Sequence, residues 1–328
     1  MSKIISNPKT YTGQELTQTF FRPMLQGDSA EQLGIRIIYN MPVPTTLNFW
    51  KQTPDALAPY SQGWNGSNKT ERFQKTINLS KVKAETSYAA ADYFSMVYEQ
   101  IVGMSDIDLG NLSGTELETA ETELFRQCIA ESIRATMWLG DTSRSGSFST
   151  FDGFLKRILD DSGTGENDIT SMTINSLSST DAAETIFSKL YEDSSDVLKQ
   201  SKKDGQLAFF VTGDVYENYL ASLLMGDLDS VRSAKINGIE QLFYLGIPVI
   251  NMGIDSYISD LDYVPTTWAI LTDKRNLALA VNTADFPGSQ ISMWYNEDEL
   301  ENRQRAIFMA GCDYLLPEMI IAAYTAAE

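Results

Sequence analysis

Histidine is absent from the 328 residues of the chain, and cysteine occurs only twice. Because imidazole is the side chain that exchanges protons most readily near neutral pH, its absence excludes Ser-His-Asp triads, Cys-His dyads and histidine zinc sites. Cys128 and Cys312 are too few for a disulfide framework or a cysteine-only zinc site. Cys128 falls on the apolar side of a helical pattern, so we expect it to be a small buried residue. Most familiar enzyme classes are therefore excluded.

Several other features are also missing. No GxxxxGK[ST], GxGxxG or GxSxG motif occurs, so phosphate-binding loops and nucleophile elbows have no support. No run of 18 apolar residues and no basic-then-apolar leader occurs, so we expect no membrane segment and folding in a reducing cytoplasm. Basic residues are outnumbered by acidic ones, 25 to 44, giving a net charge of −19. Such a surface is poorly suited to gripping nucleic-acid phosphates.

The composition is that of a globular chain, with 43% apolar residues and a length that favours about two domains. Acidic residues cluster at three places, which are Asp227 and Asp229, Asp260 and Asp262, and the group Glu297, Asp298, Glu299 and Glu301. With so many acids in the chain, we interpret these clusters as solvated surface. A divalent-cation site or a paired-carboxylate hydrolase remains the alternative.

A long two-stranded arm is predicted near the N-terminus. Residues 42–83 contain four prolines and a turn-rich tip at 63–68, and residues 73–82 then alternate between apolar and polar side chains. A two-stranded arm buries too little surface to be stable alone, so it needs a partner surface. Aromatic residues are enriched at interface cores. We therefore expect the aromatic residues of the arm to contact another subunit; they are Phe49, Trp50, Tyr60, Trp64 and Phe73.

The strongest helical pattern follows. A short helix is expected over residues 88–102, and a long amphipathic helix over residues 115–139, with apolar residues three and four apart and acids such as Glu121 and Glu131 mainly on the other face. Gly140 ends it. At 1.5 Å per residue it would be roughly 38 Å long. A single apolar stripe predicts that this helix lies along other elements rather than inside them.

The second half of the chain mixes helices and strands without regular alternation, which favours an α+β fold. Helices are predicted over residues 181–199 and 215–224, and a fully buried strand over residues 207–212. Further strands are predicted at 242–244, 247–251, 268–272, 277–281, 291–295 and 306–314.

The order of these parts resembles the HK97 fold of tailed-phage major capsid proteins. Five short segments carry the resemblance, in the family's order over nearly the whole chain. They are a Gly-Asp turn with a Phe-Asp-Gly-Phe-Leu-Lys segment (Leu139–Asp141 and Phe151–Lys156), a strand and helix of the central sheet (Leu207–Thr212, then Asp214, Tyr216 and Leu220), a Gly-Ile-Pro-Val strand (Leu245–Ile250), an Asn-Leu strand (Thr272–Leu277) and a closing segment (Gly311–Tyr314 with Leu316–Glu318).

The resemblance implies an α+β, HK97-like capsid fold with an N-terminal arm, an extended E-loop, a P-domain with a long spine helix, and an A-domain with a central mixed sheet. The implied boundaries are residues 1–45 for the N-arm, 46–84 for the E-loop, 85–174 for the P-domain with its spine helix at 115–139, 175–262 for the A-domain, 263–315 for return strands of the P-domain, and 316–328 for a C-terminal segment near the A-domain. The E-loop, with its aromatic residues, would lie across a neighbouring subunit.

The resemblance also implies a function. The chain would be a non-enzymatic subunit of an icosahedral capsid of a tailed double-stranded DNA bacteriophage, without catalytic residues, cofactor or metal. Pentamers and hexamers would enclose the genome without sequence-specific DNA binding, in a virion assembled in the host bacterial cytoplasm. A separate scaffolding protein, a portal and, optionally, a decoration protein would be its partners.

Alternatives remain open at this point. Within the same fold, the chain could form an encapsulin-like nanocompartment or the shell of a gene-transfer agent. The distant alternative is the histidine-free carboxylate hydrolase named above. A lysine-to-asparagine crosslink known in one branch of the family is not carried over, and the lysines of the predicted loop, Lys51, Lys69 and Lys75, are expected to be ordinary surface residues.

Overall fold

The structure is a computed structural model. It describes residues 29–41, 45–52, 62, 70–89, 116–163, 168–225, 233–236, 239–283 and 291–326. The strands within these ranges are β1 Arg36–Ile38, β2 Thr45–Gln52, β3 Thr70–Ile77, β4 Ser80–Ala89, β5 Thr170–Thr173, β6 Leu207–Val211, β7 Ser233–Ile236, β8 Ile239–Tyr244, β9 Ile247–Asn251, β10 Trp268–Asp273, β11 Leu277–Val281, β12 Ile291–Asn296, β13 Glu301–Tyr314 and β14 Ile320–Tyr324. The helices are α1 Glu116–Leu139, α2 Phe154–Asp161, α3 Ala182–Asp193, α4 Asp196–Ser201, α5 Gly213–Met225 and α6 Asp255–Ile258. Among the residues described, no helix is both long and apolar enough to cross a membrane.

A seven-stranded mixed sheet contains half of the described strands. Its order is β5-β14-β10-β6-β9-β8-β7, with parallel pairs β5/β14 and β6/β9 and antiparallel pairs elsewhere. Strand β6 reads Leu-Ala-Phe-Phe-Val and is buried at every position. The unbroken apolar run is what a strand covered on both faces requires. This sheet takes strands from both sides of the predicted domain boundaries at residues 174, 262 and 315, which remain predictions.

Alternate residues of β6 enter two different cores. Phe210 packs against Trp138 at the end of α1, with ring centroids 5.5 Å apart, in a core that also contains α2. Phe209, on the other face, packs against Phe187 of α3 at 4.8 Å, in a core shared with Tyr219 of α5. Because successive side chains of a strand point to opposite faces, one short strand joins both layers of the fold.

The second sheet has five strands and is built around β13. Strand β4 pairs antiparallel with β13 along Glu301–Ala310, while β12 and β11 pair antiparallel with it along 301–306 and 310–314. Strand β1 joins at the outer side of β11 as a parallel neighbour. Val82 and Phe308 from this sheet belong to the same buried core as α1, so the long helix packs against both sheets.

The predicted long helix is confirmed within one residue as α1. Its buried line, Phe125, Ile129, Ile133 and Met137, advances four residues at a time. The single-stripe prediction holds only for the described N-terminal part, because every residue from 133 to 140 is buried and this end is inserted into the core.

Three residues of α1 differ from the sequence interpretation, and one of them is Glu121, which is buried, not solvated. Cys128 is exposed, not buried, because it precedes Ile129 by one residue, or about 100° of helix rotation, and borders an open groove beside strand β4. Glu131 is buried, not solvated, because its carboxylate is paired inside the protein with Arg134.

Two helix predictions also change. The helix expected over 181–199 is divided into α3 and α4, because Ser195 accepts a hydrogen bond from the Leu198 amide at 3.1 Å and caps a new helix. Tyr88 and Ala89, expected to begin a helix, end strand β4 instead. The remainder of that expected helix, residues 90–102, lies outside the described residues.

Candidate functional site

Strands β2 and β3 form a separate two-stranded antiparallel sheet, here called the ribbon (residues 45–52 and 70–77). Phe49 is opposite Phe73 in the register, and Trp50 is opposite Arg72. Within the described ranges, no third strand pairs with either edge. Tyr60 and Trp64, the other predicted contact residues, lie outside the described residues. The ribbon is therefore the one sheet described here that has only two strands.

The ribbon joins the rest of the chain at its root, residues 75–79. Ile77 is completely buried, in a small core with Met41, Ala278 and Leu315. The backbone oxygen of Asn78 passes so close to Gly311 of β13 that a Cβ atom there would lie 2.1 Å from it. Glycine is required at this position because any side chain would displace the root from the sheet.

A buried charge also lies at the root. The Lys75 ammonium is 3.4 Å from a carboxylate oxygen of Asp313 and 4.0 Å from the ring centroid of Tyr314. Asp313 is only 2% exposed. Burial raises the pKa of Asp313, and the charges of Lys75 and Arg157 partly oppose that rise. The expectation that Lys75 is an ordinary surface lysine is wrong.

Helix α2 fixes the position of Tyr314, the residue next to Asp313. The Tyr314 hydroxyl donates a hydrogen bond to the Asp161 carboxylate at 2.5 Å. Burial, together with this carboxylate, raises the pKa of Tyr314 well above its usual value, so the hydroxyl remains a donor. The ring on which Lys75 rests is therefore fixed by packing and by a hydrogen bond.

The Gly-Asp turn singled out in the sequence closes on the Phe-Asp-Gly segment. The Gly153 amide donates to the Gly140 carbonyl at 2.8 Å, and a Cβ on Gly140 would lie 2.1 Å from the Phe151 carbonyl oxygen. The Asp152 carboxylate accepts from the amide and hydroxyl of Thr142 at 2.9 and 2.7 Å. Two glycines are needed because the backbones cross here without room for side chains.

Asp141 binds the turn to helix α2. Its carboxylate accepts from the Ser143 amide at 2.9 Å and lies 3.6 Å from the Lys156 ammonium. Burial by itself would raise the pKa of Asp141, but the hydrogen bonds from Ser143 and the charges of Lys156 and Arg144 hold it below its usual value. These interactions fix the end of the long helix relative to α2.

A buried ion pair joins α1 to the loop after β9. Arg134 makes two hydrogen bonds to the Glu131 carboxylate, at 2.8 and 2.7 Å, and donates to the carbonyls of Met252 and Gly253 at 2.8 and 2.9 Å. The Tyr257 hydroxyl donates to Glu131 at 2.9 Å. Burial and this carboxylate raise the pKa of Tyr257 to about 12. Sequence reasoning missed this joint, since Glu131 and Arg134 have the spacing of an ordinary solvent-exposed pair.

Within the described residues, the acidic clusters give no comparable site. Asp227 and Asp229 lie outside the described residues, and Glu299 and Glu301 pair with Arg303 around the β12–β13 turn. No group of three or more His, Cys, Asp or Glu side chains in the described part of the chain is arranged to hold a metal ion. The best-developed site is therefore a surface, formed by the ribbon and its anchored root.

No protein-family model matches the chain, and no curated protein matches it. Solved structures do. A structure of Gordonia phage Cozz matches with a TM-score of 0.55 at 11% identity, over 98% of this chain and 92% of the other. The capsid of Myoviridae phage XM1 matches with a TM-score of 0.54 at 9% identity, over 94% and 95%.

The chain has an HK97-like capsid fold. The α+β expectation is confirmed, and the resemblance seen in five short segments extends to the whole described architecture. The holo-SrpI encapsulin complex from Synechococcus elongatus PCC 7942 has a similar chain, with a TM-score of 0.50 at 8% identity over 88% of this chain and 84% of that one. Chains of a phage capsid and of an encapsulin complex are thus both similar in structure to this chain.

Proposed function

We propose that this chain is the major structural subunit of an icosahedral capsid of a tailed double-stranded DNA phage, and that it has no catalytic role. The observation that carries the proposal is the match to the capsid of phage XM1 over 94% of the chain. A similarity over 94% of this chain and 95% of the other supports a shared architecture better than it supports a borrowed domain.

The ribbon supplies the subunit contact in this proposal. Its root is anchored by Ile77 and Lys75, but two strands alone bury too little surface to be stable. The E-loop, residues 46–84, would therefore lie on a neighbouring copy, with Phe49, Trp50, Tyr60, Trp64 and Phe73 at the contact. Such head-to-tail contacts close into rings of five and six, and several modest contacts per subunit add up to a stable shell.

The negative net charge of the chain supports the proposal that the shell contains DNA. A net charge of −19 disfavours strong nonspecific attachment of phosphates to the subunit, so packaged DNA would stay free to move. The proposal includes assembly in the host cytoplasm with a separate scaffolding protein, a portal and, optionally, a decoration protein. Replacing inward-facing acids by lysine should increase co-purifying nucleic acid, and an unchanged amount would contradict this part.

The direct test is expression of the full chain together with the scaffolding gene of its own genome, followed by negative-stain electron microscopy. We expect closed polyhedral shells or tubes of regular subunits. A chain that remains monomeric in the presence of its scaffold, by light scattering and microscopy, would overturn the proposal.

A second candidate within the fold is a nanocompartment shell, which the similarity to the SrpI encapsulin supports. The two functions differ in what the shell contains. Mass spectrometry of shells purified from the native source would find a cargo enzyme in a nanocompartment. Protected genomic DNA would instead favour the phage capsid, and protected fragments of host DNA would favour a gene-transfer agent.

A further inference from the structure

The ribbon leaves the five-stranded sheet at a point where two kinds of contact meet. Ile77 fixes the position of the strand by apolar packing in the small core of Met41, Ala278 and Leu315. Packing of one buried residue resists withdrawal of the strand, but it restricts rotation about that residue much less. The second contact, two residues further along the ribbon, is the Lys75 ammonium held at Asp313 and above the Tyr314 ring.

The surroundings of Asp313 hold its carboxylate in one position, so that the second contact restricts the direction of the ribbon. The Tyr314 amide donates to Asp313 at 2.9 Å, so the carboxylate cannot follow a moving lysine. Other charged groups also act electrostatically on Asp313 or on its two sequence neighbours, Cys312 and Tyr314. They lie in helix α2 and just before it, and they are Asp152, Arg157 and Asp161. Lys75 is the charged group in this set that comes from the ribbon, and its side chain is still 21% exposed.

We propose that Lys75 and Asp313 form a latch that fixes the angle at which the ribbon leaves the sheet, and so determines how the ribbon meets a neighbouring copy. The part that concerns the neighbour rests on the proposed function; the part that concerns the angle does not. A lysine ammonium attracts a buried carboxylate strongly because little water screens the pair. Opening the latch exposes Lys75 to water and leaves Asp313 to accept a proton.

The latch is sensitive to pH. Because burial raises the pKa of Asp313, it takes up a proton at a higher pH than exposed aspartates do. Acidification therefore neutralises the carboxylate and weakens the latch while most surface acids are still charged. The ribbon would then change its angle without unfolding of the sheets, since Ile77 and Gly311 hold the root independently of charge.

The latch is tested by measuring the distance between two spin labels on the isolated full-length subunit. One label is placed on the ribbon through Lys51→Cys in β2, and the other on the exposed native Cys128 of α1. Cys312 is buried, and labelling of the chain without Lys51→Cys checks that it does not react. In this background, we expect Lys75→Met and Asp313→Asn each to replace a single narrow distance distribution by a broad one.

The double variant gives the sharper result. Once either partner is changed the pair is gone, so Lys75→Met with Asp313→Asn should broaden the distribution no further than each single change. Lys81→Met is the matched control, because Lys81 is an exposed lysine on the next strand, β4. Asp313→Asn retains an oxygen acceptor for the Tyr314 amide, which limits local disturbance. Distributions identical to wild type in both single variants would overturn the latch.

Shell formation provides the second readout. With wild-type shells in hand, both single variants should give misassembled or fewer closed particles under conditions in which circular dichroism shows that the subunit is still folded, while Lys81→Met should give normal ones. Normal shells in both single variants would overturn the role in meeting a neighbour. If wild type itself forms no shells, the proposed function fails, while the spin-label distances still decide whether the latch exists.

Discussion

The seven-stranded sheet and the ribbon are both β-structure, yet they are stabilised in opposite ways. Strand β6, at the centre of the sheet, has strands on both sides and apolar cores on both faces, and is buried throughout. The ribbon has one neighbour per strand, and its described side chains are well buried only at the root, where Ile77 lies. The sheet obtains its stability from its own chain, whereas we propose that the ribbon obtains it from another surface.

Because of this difference, we expect substitutions in the two regions to affect different properties, namely the stability of the subunit and its assembly. Substitutions in the sheet or at its joints should change the free energy of unfolding of a single subunit. Substitutions in the outer part of the ribbon should change association and leave the subunit folded. Measuring both quantities on the same variants therefore tests whether the two regions differ in this way.

The largest effect is expected from Arg134→Met in α1. It leaves the buried Glu131 carboxylate without its cation and removes the donors to the Met252 and Gly253 carbonyls. Removing one partner of a buried pair costs about 3–5 kcal/mol. Urea unfolding followed by circular dichroism measures this loss.

The same helix provides the control. Arg126 pairs with Glu123 at the same spacing of three residues, 3.6 Å apart and with both side chains nearly half exposed. Arg126→Met should cost about 1 kcal/mol or less, because water screens the pair. Equal losses in the two variants would contradict the joint between α1 and the β9 loop.

The second prediction concerns the root of the ribbon. A Cβ atom in Gly311→Ala would lie 2.1 Å from the Asn78 carbonyl oxygen, so the root has to move away from β13. Overpacking of this kind costs about 1–3 kcal/mol. We expect a lower melting temperature together with a changed distance between labels at residues 51 and 128. An unchanged melting temperature would mean that the root adapts freely, contrary to an anchored ribbon.

Sequence patterns predicted the fold well where a pattern is repeated. Apolar residues three and four apart, among them Phe125, Ile129, Ile133 and Met137, predicted α1 within one residue, and the unbroken apolar run of β6 predicted a strand covered on both faces. A repeated pattern averages over many residues, so one exception does not change the prediction. The two-strand pairing of the ribbon was also predicted, but the alternating segment of residues 73–82 is divided between β3, which ends at Ile77, and β4, which begins at Ser80.

Individual polar contacts could not be predicted in the same way. Charged residues usually lie at the surface, yet four of them are buried or partly buried here: Lys75, Glu131, Arg134 and Asp313. Their partners are distant in the sequence. Arg134 binds the Met252 carbonyl 118 positions away, and Lys75 pairs with Asp313 238 positions away. The division of the helix at Ser195 is different, because a Ser-Ser-Asp sequence is a capping signal that could have been recognised. What was missed was mostly long-range pairing, which a single sequence does not reveal.

The third prediction uses pH at the end of β10, an inner strand of the seven-stranded sheet. Asp273, at the end of β10, is 1% exposed and accepts hydrogen bonds from the backbone amide and the guanidinium of Arg275, at 2.8 and 2.7 Å. Burial would raise the pKa of Asp273, but these bonds hold it below its usual value. A lowered pKa in the folded state adds stability above the unfolded pKa, and this contribution is lost as pH falls through the folded pKa.

We therefore expect Asp273→Asn to cost about 1 kcal/mol at neutral pH. The difference in free energy of unfolding between wild type and variant should shrink as the pH is lowered below the usual aspartate range. Asp204→Asn is the matched control, because Asp204 is the other, exposed carboxylate near Arg275, at 3.5 Å. A difference that stays constant between neutral and acidic pH would show that the charge of Asp273 has no part in stability.

The smallest effect on the subunit, and the largest on assembly, is expected from the outer ribbon. Phe49 and Phe73 are opposite each other in the register, four positions from the buried end of the pairing at Thr45 and Ile77. If they contact a neighbouring copy, Phe49→Ala with Phe73→Ala should change the free energy of unfolding of the isolated subunit by within about 0.5 kcal/mol. Closed shells should nevertheless be lost, because each subunit would lose its apolar contact at every equivalent interface at once.

Tyr39→Ala removes an exposed aromatic side chain outside the ribbon and should leave both stability and shells unchanged. Urea unfolding of the isolated subunit and electron microscopy of co-expressed shells measure the two quantities separately. A large loss of subunit stability in the ribbon variant would place these phenylalanines in the subunit's own core. The ribbon would then resemble the large sheet, and the contrast on which the proposed assembly depends would disappear.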